Sequence, residues 1–149
     1  MTRQAAVIQW VREVDLVLLK SLNDLLPELS MSATAMTLPQ LRQIVDAECS
    51  DLFVFRAPDT GTVLGALTLI HFRIPTGVRA WIEDVVVSAG ARGQGVGKAL
   101  IRAAVERSHA LGARTVDLTS NPNRAPAHRL YEGSGFSLRE TKVYRYIPT

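Results

Sequence analysis

The apolar positions of this chain change their period near residue 50, dividing it into a helical first third and a strand-rich remainder. In "VREVDLVLLKSLNDLLPEL", residues 11–29, Val14, Leu18, Leu22 and Leu25 recur at helical spacing, and Pro27 ends or kinks the helix they predict. "SMSATAMT" reads as a loop. In "TLPQLRQIVDAEC", residues 37–49, Thr37 can cap a second helix with a proline in its first turn, and Leu41, Ile44 and Val45 fall on one face.

From Leu52 the pattern turns β-rich. "DLFVFRA" (51–57) and "TVLGALTLIHF" (62–72) are strands joined by "PDTG", which puts proline and glycine where a tight turn needs them. "RIPTGVR" is a second turn, and "AWIEDVVVS" (80–88) a third, more buried strand. A glycine-rich turn then leads into a helix running to about Leu111, with Leu100, Ala104 and Leu111 inward. "GARTVDLTS" (112–120) is a fourth strand and "RAPAHRLYEGSG" (124–135) a short helix closed by Gly133 and Gly135. "FSLRETKVYRYI" (136–147) supplies the final strands. Helices, a hairpin and then strand–helix–strand imply a mixed α/β or α+β fold.

With 149 residues, 47% hydrophobic and 21% charged, the chain is expected to fold as one domain, 1–149, with a real core. The net charge of +3 is scattered, which suits a small polyanionic ligand as well as it suits nucleic acid. Nothing resembles a nucleic-acid-binding signature, so no such partner is expected. One cysteine, Cys49, allows no internal disulfide and fits a reducing compartment. No apolar run approaches the roughly 18 residues of a membrane span, so a soluble, cytoplasmic protein is expected. His71, His109 and His128 have no metal-ligand spacing, and no metal is expected.

The stretch "VSAGARGQGVGKAL", residues 87–100, carries the chemistry. Glycine at every second position is a poor choice for a strand or a helix. Placed between the two, it bares the main chain where the first helical N–H groups lack partners and the helix dipole adds positive potential. Arg92 and Lys98 add full charges, so the turn fits a diphosphate. It is not a Walker loop, because Arg92 stands at the first glycine position and Ala99 follows Lys98. Nor is it a dinucleotide fingerprint, since Gly93, Gly95 and Gly97 are spaced by two. A ligand-free turn is the plain alternative.

Arg92-Gly93-Gln94-Gly95-Val96-Gly97 matches the R/Q-x-x-G-x-G/A signature of the GNAT superfamily of acyl-CoA N-acyltransferases. The resemblance extends over nearly the whole chain, through the acidic strand "IEDVVVSAGARGQGVG" to the late "RLYEGSGF". It implies a central mixed, mostly antiparallel twisted sheet flanked by helices, splayed between its fourth and fifth main strands. It also implies acetyl-CoA as cosubstrate, an amine acceptor, and direct ternary-complex transfer with no acyl-enzyme. By the same resemblance, the loop from Arg92 to Lys98 holds the CoA diphosphate, and the main chain of Val85, Val86 and Val87 pairs with pantetheine. Those valines also read simply as strand core.

Four tasks face such an enzyme: deprotonating the amine, polarising the thioester carbonyl, aligning the reactants and capturing the thiolate. Alignment alone is worth about 7–11 kcal/mol. Glu83 is the candidate general base, because a carboxylate within an apolar strand is costly unless it is paired or functional. A salt bridge to Arg73 or Arg79 is the alternative. Asp84 points to the opposite face if the strand is regular. By resemblance Tyr131 is the general acid, and otherwise a core tyrosine bonded to a backbone carbonyl. Where the family usually places a pantetheine-binding asparagine, seven residues before that tyrosine, this chain has Arg124. Asn121 or Asn123 can substitute, or Arg124 can reach a CoA phosphate. Trp10 and Trp81 read as packing residues. An idle acyl-CoA-binding module is the rival function, against which the presence of both Glu83 and Tyr131 speaks. Dimerisation is common in the superfamily, and the composition leaves a homodimer open.

Overall fold

Two side-chain caps set where the helices of the first third begin. In the computed structural model, which describes residues 6–149, helix α1 spans Leu16–Leu29, and Asp15 caps it by accepting the Leu18 N–H at 2.7 Å. Val11 and Val14 therefore precede the helix, yet both pack in the core. Pro27 sits inside α1, which ends two residues later. Helix α2, Leu38–Asp46, opens on a reciprocal cap: the Gln40 N–H donates to Thr37 Oγ1, and the Thr37 N–H donates to Gln40 Oε1. Between the helices, Asn23 pins the loop by bonding both the N–H and the carbonyl of Met36, at 2.8 and 3.1 Å.

The described residues form two compact units, the first ending at Thr119 and the second running Ser120–Thr149. In the first, strands β1 (Ile8–Trp10), β2 (Ser50–Arg56), β3 (Val63–Ile74), β4 (Gly77–Val87) and β5 (Ala113–Asp117) form one sheet in sequential order. All neighbours are antiparallel except β4 and β5, which run parallel. Helix α3, Val96–Ala110, crosses between those two. The mixed, mostly antiparallel sheet with flanking helices agrees with expectation.

Two details differ. The short edge strand β1 has no signal in the alternation, because three residues show too little of any period. The strands expected over residues 136–147 are not formed. That segment makes no ladder among the described residues, and Leu138, Val143, Tyr144, Tyr146 and Ile147 are exposed. Its alternation supplies strand propensity, but a strand requires a partner edge.

One face of the sheet buries Leu52, Val54, Val63, Ala66 and Val86 against Leu18, Leu22 and Leu25 of α1 and Leu41 of α2. Across the sheet α3 presents buried Val96, Leu100, Ile101 and Ala104. It lies close because β3 carries Gly65: a Cβ there would sit 2.8 Å from Val96 Cγ1 and 3.3 Å from Leu100 Cδ1. Arg107 of α3 reaches buried Asp51 on β2 at 2.9 Å and also stacks on Trp10 of β1, whose ring Arg12 covers as well. His71 Nε2 lies 3.1 Å from the same Asp51 oxygen without hydrogen-bond geometry. No helix among the described residues is long and apolar enough to cross a membrane.

The Gly65 contact makes a direct prediction. Gly65→Val overpacks the interface at a cost of about 1–3 kcal/mol, read as a lower midpoint in urea or thermal unfolding. Gly65→Ala costs less. An unchanged midpoint for the valine variant would mean that α3 is not held this close.

Candidate active site

β4 is irregular where its carboxylates sit. Ala66 of β3 pairs with Val86, but the next pair is Thr68 with Glu83, so Asp84 and Val85 together oppose the single residue Leu67. This bulge turns Asp84 into the left-handed region, at φ +52°. A regular strand would put Asp84 on the opposite face; here the extra residue breaks the alternation, and Glu83 and Asp84 are both exposed. Nor is Glu83 enclosed by the apolar strand, since Trp81 Nε1 donates to its Oε1 at 2.7 Å from an open surface. The salt-bridge alternative fails for Arg79, which turns to Asp117 at 3.4 Å.

Near the same place β4 leaves its parallel neighbour. Pairing with β5 ends at Trp81 and Asp117, so the stretch from Ile82 to Val87 has no strand on that side among the described residues. The pairing stops where β5 itself ends, at Asp117. Val86 is buried in the core while Val85 and Val87 are half-buried beside it.

The chain then passes through a short 3-10 turn, Ala89–Ala91, into the glycine loop. Arg92 folds back: its Nε donates to the Val87 carbonyl at 3.3 Å, and its guanidinium lies 3.6 Å from Glu28 of α1. Gln94 reaches the Gly90 carbonyl at 3.4 Å. Gly93 and Gly95 take φ of +77° and +80°. A Cβ at either would meet no protein atom within 4 Å. The positive φ calls for glycine, and the space outside the loop is open. Buried Val96 anchors the start of α3, and the Ala99 N–H bonds the Gly95 carbonyl at 3.0 Å. The N–H groups of Val96, Gly97 and Lys98 therefore project from the helix start, together with its dipole. Lys98 is exposed beside them.

In the second unit, helix α4 spans Ala125–Gly133. Tyr131 is half-buried with its ring 6.3 Å from Phe136, and its carbonyl accepts the N–H groups of Ser134 and Phe136. Burial pushes the Tyr131 phenol above the ordinary tyrosine value, and the Arg124 cation partly opposes that rise. Asn121 accepts the Asn123 N–H on Oδ1, and its carbonyl meets a ring nitrogen of His128 at 2.9 Å. Glu83, Val85, Val86, Val87 and residues 92–98 thus share one unit, while Asn121, Asn123, Arg124 and Tyr131 share the other.

A family model described as the acetyltransferase (GNAT) family matches residues 19–136. The chain belongs to the GNAT family of acetyltransferases. Members of that family are acetyltransferases that use acetyl-CoA and an amine acceptor. A glucosamine 6-phosphate N-acetyltransferase of Trypanosoma brucei brucei is 39% identical over 93 residues, which span 60% of this chain and 61% of that protein. A solved Trypanosoma brucei acetyltransferase superposes with a TM-score of 0.76 at 29% identity, covering 95% of this chain and 99% of the other. An aminoglycoside acetyltransferase from an uncultured soil metagenomic sample shares the fold, with a TM-score of 0.83 at 20% identity and coverage of 96% and 95%. In this GNAT chain Cys49 is exposed and lies outside the glycine loop.

Reading Trp81 as packing overlooked its bond to Glu83. The signal was present as W-x-E within a strand, since residues two apart share a face. The stack of Arg12, Trp10 and Arg107 joins a strand that the alternation did not reveal.

The raised Tyr131 pKa has a measurable consequence. A phenol raised by burial keeps its proton to higher pH, and a cation that favours the phenolate works against this. The tyrosinate absorbance lost on Tyr131→Phe should therefore appear only above the range of free tyrosine, and Arg124→Ala should move it higher still. A component at or below the free-tyrosine range would contradict the burial.

Proposed function

We propose that this chain transfers the acetyl group of acetyl-CoA directly to a primary amine within a ternary complex. In that reaction the amine nitrogen bonds to the thioester carbon, the carbon–sulfur bond breaks, one proton leaves nitrogen and the sulfur departs as a thiol. The observation that carries the reading is the loop from Arg92 to Lys98, whose left-handed glycines face open space at the start of α3. Main-chain donors from Gly93 to Gly97, with Val96 as their buried anchor, suit the CoA diphosphate, and exposed Lys98 supplies a cation. Arg92 is partly committed to Glu28 and Val87, so its part is to brace the loop as well as to add charge.

The unpaired side of β4 supports a pantetheine role for the main chain at Val85, Val86 and Val87, by strand addition. Exposed Glu83 suits the general base, acting directly or through water. Tyr131, held protonated by burial, suits the donor to sulfur. Asn121 spends its amide oxygen on Asn123, which favours Asn123 for the pantetheine contact and leaves Arg124 for a phosphate. The family match crosses the boundary between the two units, which favours a single acetyltransferase domain.

For the acceptor, the likeness to the trypanosomal enzyme makes an amino-sugar phosphate the first choice. Incubation with acetyl-CoA and a pool holding glucosamine 6-phosphate, amino acids, polyamines, aminoglycosides and peptides should release free CoA and one acetylated product, identified by mass spectrometry. Tight acetyl-CoA binding without any product would instead favour an idle sensor.

Gly95→Asn separates ligand from fold, because asparagine tolerates the left-handed conformation. Its side chain has room within the protein and none to spare beside a bound diphosphate. Acetyl-CoA affinity should fall at least tenfold, about 1.4 kcal/mol, with little change in unfolding midpoint. Unchanged affinity in calorimetry would remove the loop from the binding site.

A further inference from the structure

We infer that Trp81 is a positioning residue that holds the Glu83 carboxylate in the orientation proton transfer requires, an inference that rests on Glu83 being the general base. The two side chains stand two residues apart on β4, immediately before the bulge, where Trp81 pairs with Ile70 and Glu83 with Thr68. They therefore share a face. The indole Nε1–H donates to Oε1 at 2.7 Å, the short end of the range for a bond to a charged acceptor. Among the described residues no other group hydrogen-bonds this carboxylate. Arg79, four residues upstream of Glu83, is held by Asp117 instead.

The consequences follow from what an indole is. Its ring is half-buried and turns about only two side-chain bonds, so it makes a stiffer reference than a lysine or arginine. It is also neutral. A cation in its place would hold the carboxylate as an anion and oppose the arriving proton. With Oε1 occupied, Oε2 keeps its lone pairs for the amine or for a bridging water. An exposed glutamate without that bond would sample several rotamers, few of them productive. The bulge adds to this, because Asp84 at φ +52° bends the strand just beyond Glu83 while the bond holds the side chain on the near side.

The test uses Trp81→Phe, which keeps the ring and deletes only the donor, alongside Glu83→Gln and the double variant. Steady-state rates are measured with acetyl-CoA and glucosamine 6-phosphate, or with whichever amine of the pool turns over. Trp81→Phe should lower kcat about tenfold, leaving the KM for acetyl-CoA and the unfolding midpoint unchanged. Glu83→Gln should lose more, and the double variant should match Glu83→Gln alone. If the double variant loses a further tenfold, Trp81 acts through packing and the inference fails. If Glu83→Gln is inactive while Trp81→Phe retains full kcat, the inference fails and the base assignment stands. A fully active Glu83→Gln overturns the base assignment, and the positioning role with it. A measurement on folded protein needs no tryptophan variant: the chain holds two tryptophans, and Glu83→Gln should shift one of the two indole N–H signals in a nitrogen–proton correlation spectrum. An unmoved pair would show that the bond is absent in solution.

Discussion

One extra residue in β4 governs the geometry around it. Because Asp84 and Val85 oppose a single residue of β3, the strand carries one alternation before the bulge and another after it. Upstream, Ala80 and Ile82 are buried, with Trp81 and Glu83 on the other face. Downstream, Val86 returns to the core of α1 while Val85 and Val87 border the side that β5 has left. On its other side β4 loses its partner where β5 ends at Asp117, so the main chain beyond Trp81 has no strand beside it there among the described residues. That exposed edge leaves main-chain N–H and C=O groups for an extended ligand to pair with.

The glycine loop depends on a second constraint, the distance between α3 and β3. Gly65 removes the side chain that would stand between them, and Val96 fills the space it leaves. The first residue of α3 is thus buried while Gly95, immediately before it, projects outward. Packing on one side of the helix start fixes the direction of the N–H groups on the other. The dipole and Lys98 then act on a frame already held in place.

The far end of α3 is tied by a polar cluster. Arg107 bonds buried Asp51 and lies on Trp10, linking the helix to β1 and β2. Ion pairs of this kind add modest net stability, but removing one partner leaves an uncompensated buried charge. The cluster therefore specifies where α3 sits more than how firmly it sits. Held at both ends, the helix presents its N-terminus in one orientation.

Periodicity determined the elements that carry their own signal: α1 and α2 through apolar stripes and the cap at Thr37, β2 to β4 through alternation, and α3 through its glycine start. The anion-binding character of residues 92–98 was legible too, because charge, glycine spacing and helix polarity are properties of adjacent residues. The edge strand β1, the faces of Glu83 and Asp84, and the unpaired state of residues 136–147 were not. A bulge is the mismatch between two strands, and a ladder needs a second edge, so neither is encoded in one segment alone. Arg79 choosing Asp117 over Glu83, and Trp81 taking Glu83 instead, likewise depended on which strands became neighbours. Local chemistry thus comes from sequence order, whereas exposure, pairing and the aim of a side chain arise only when distant segments compete for the same surface.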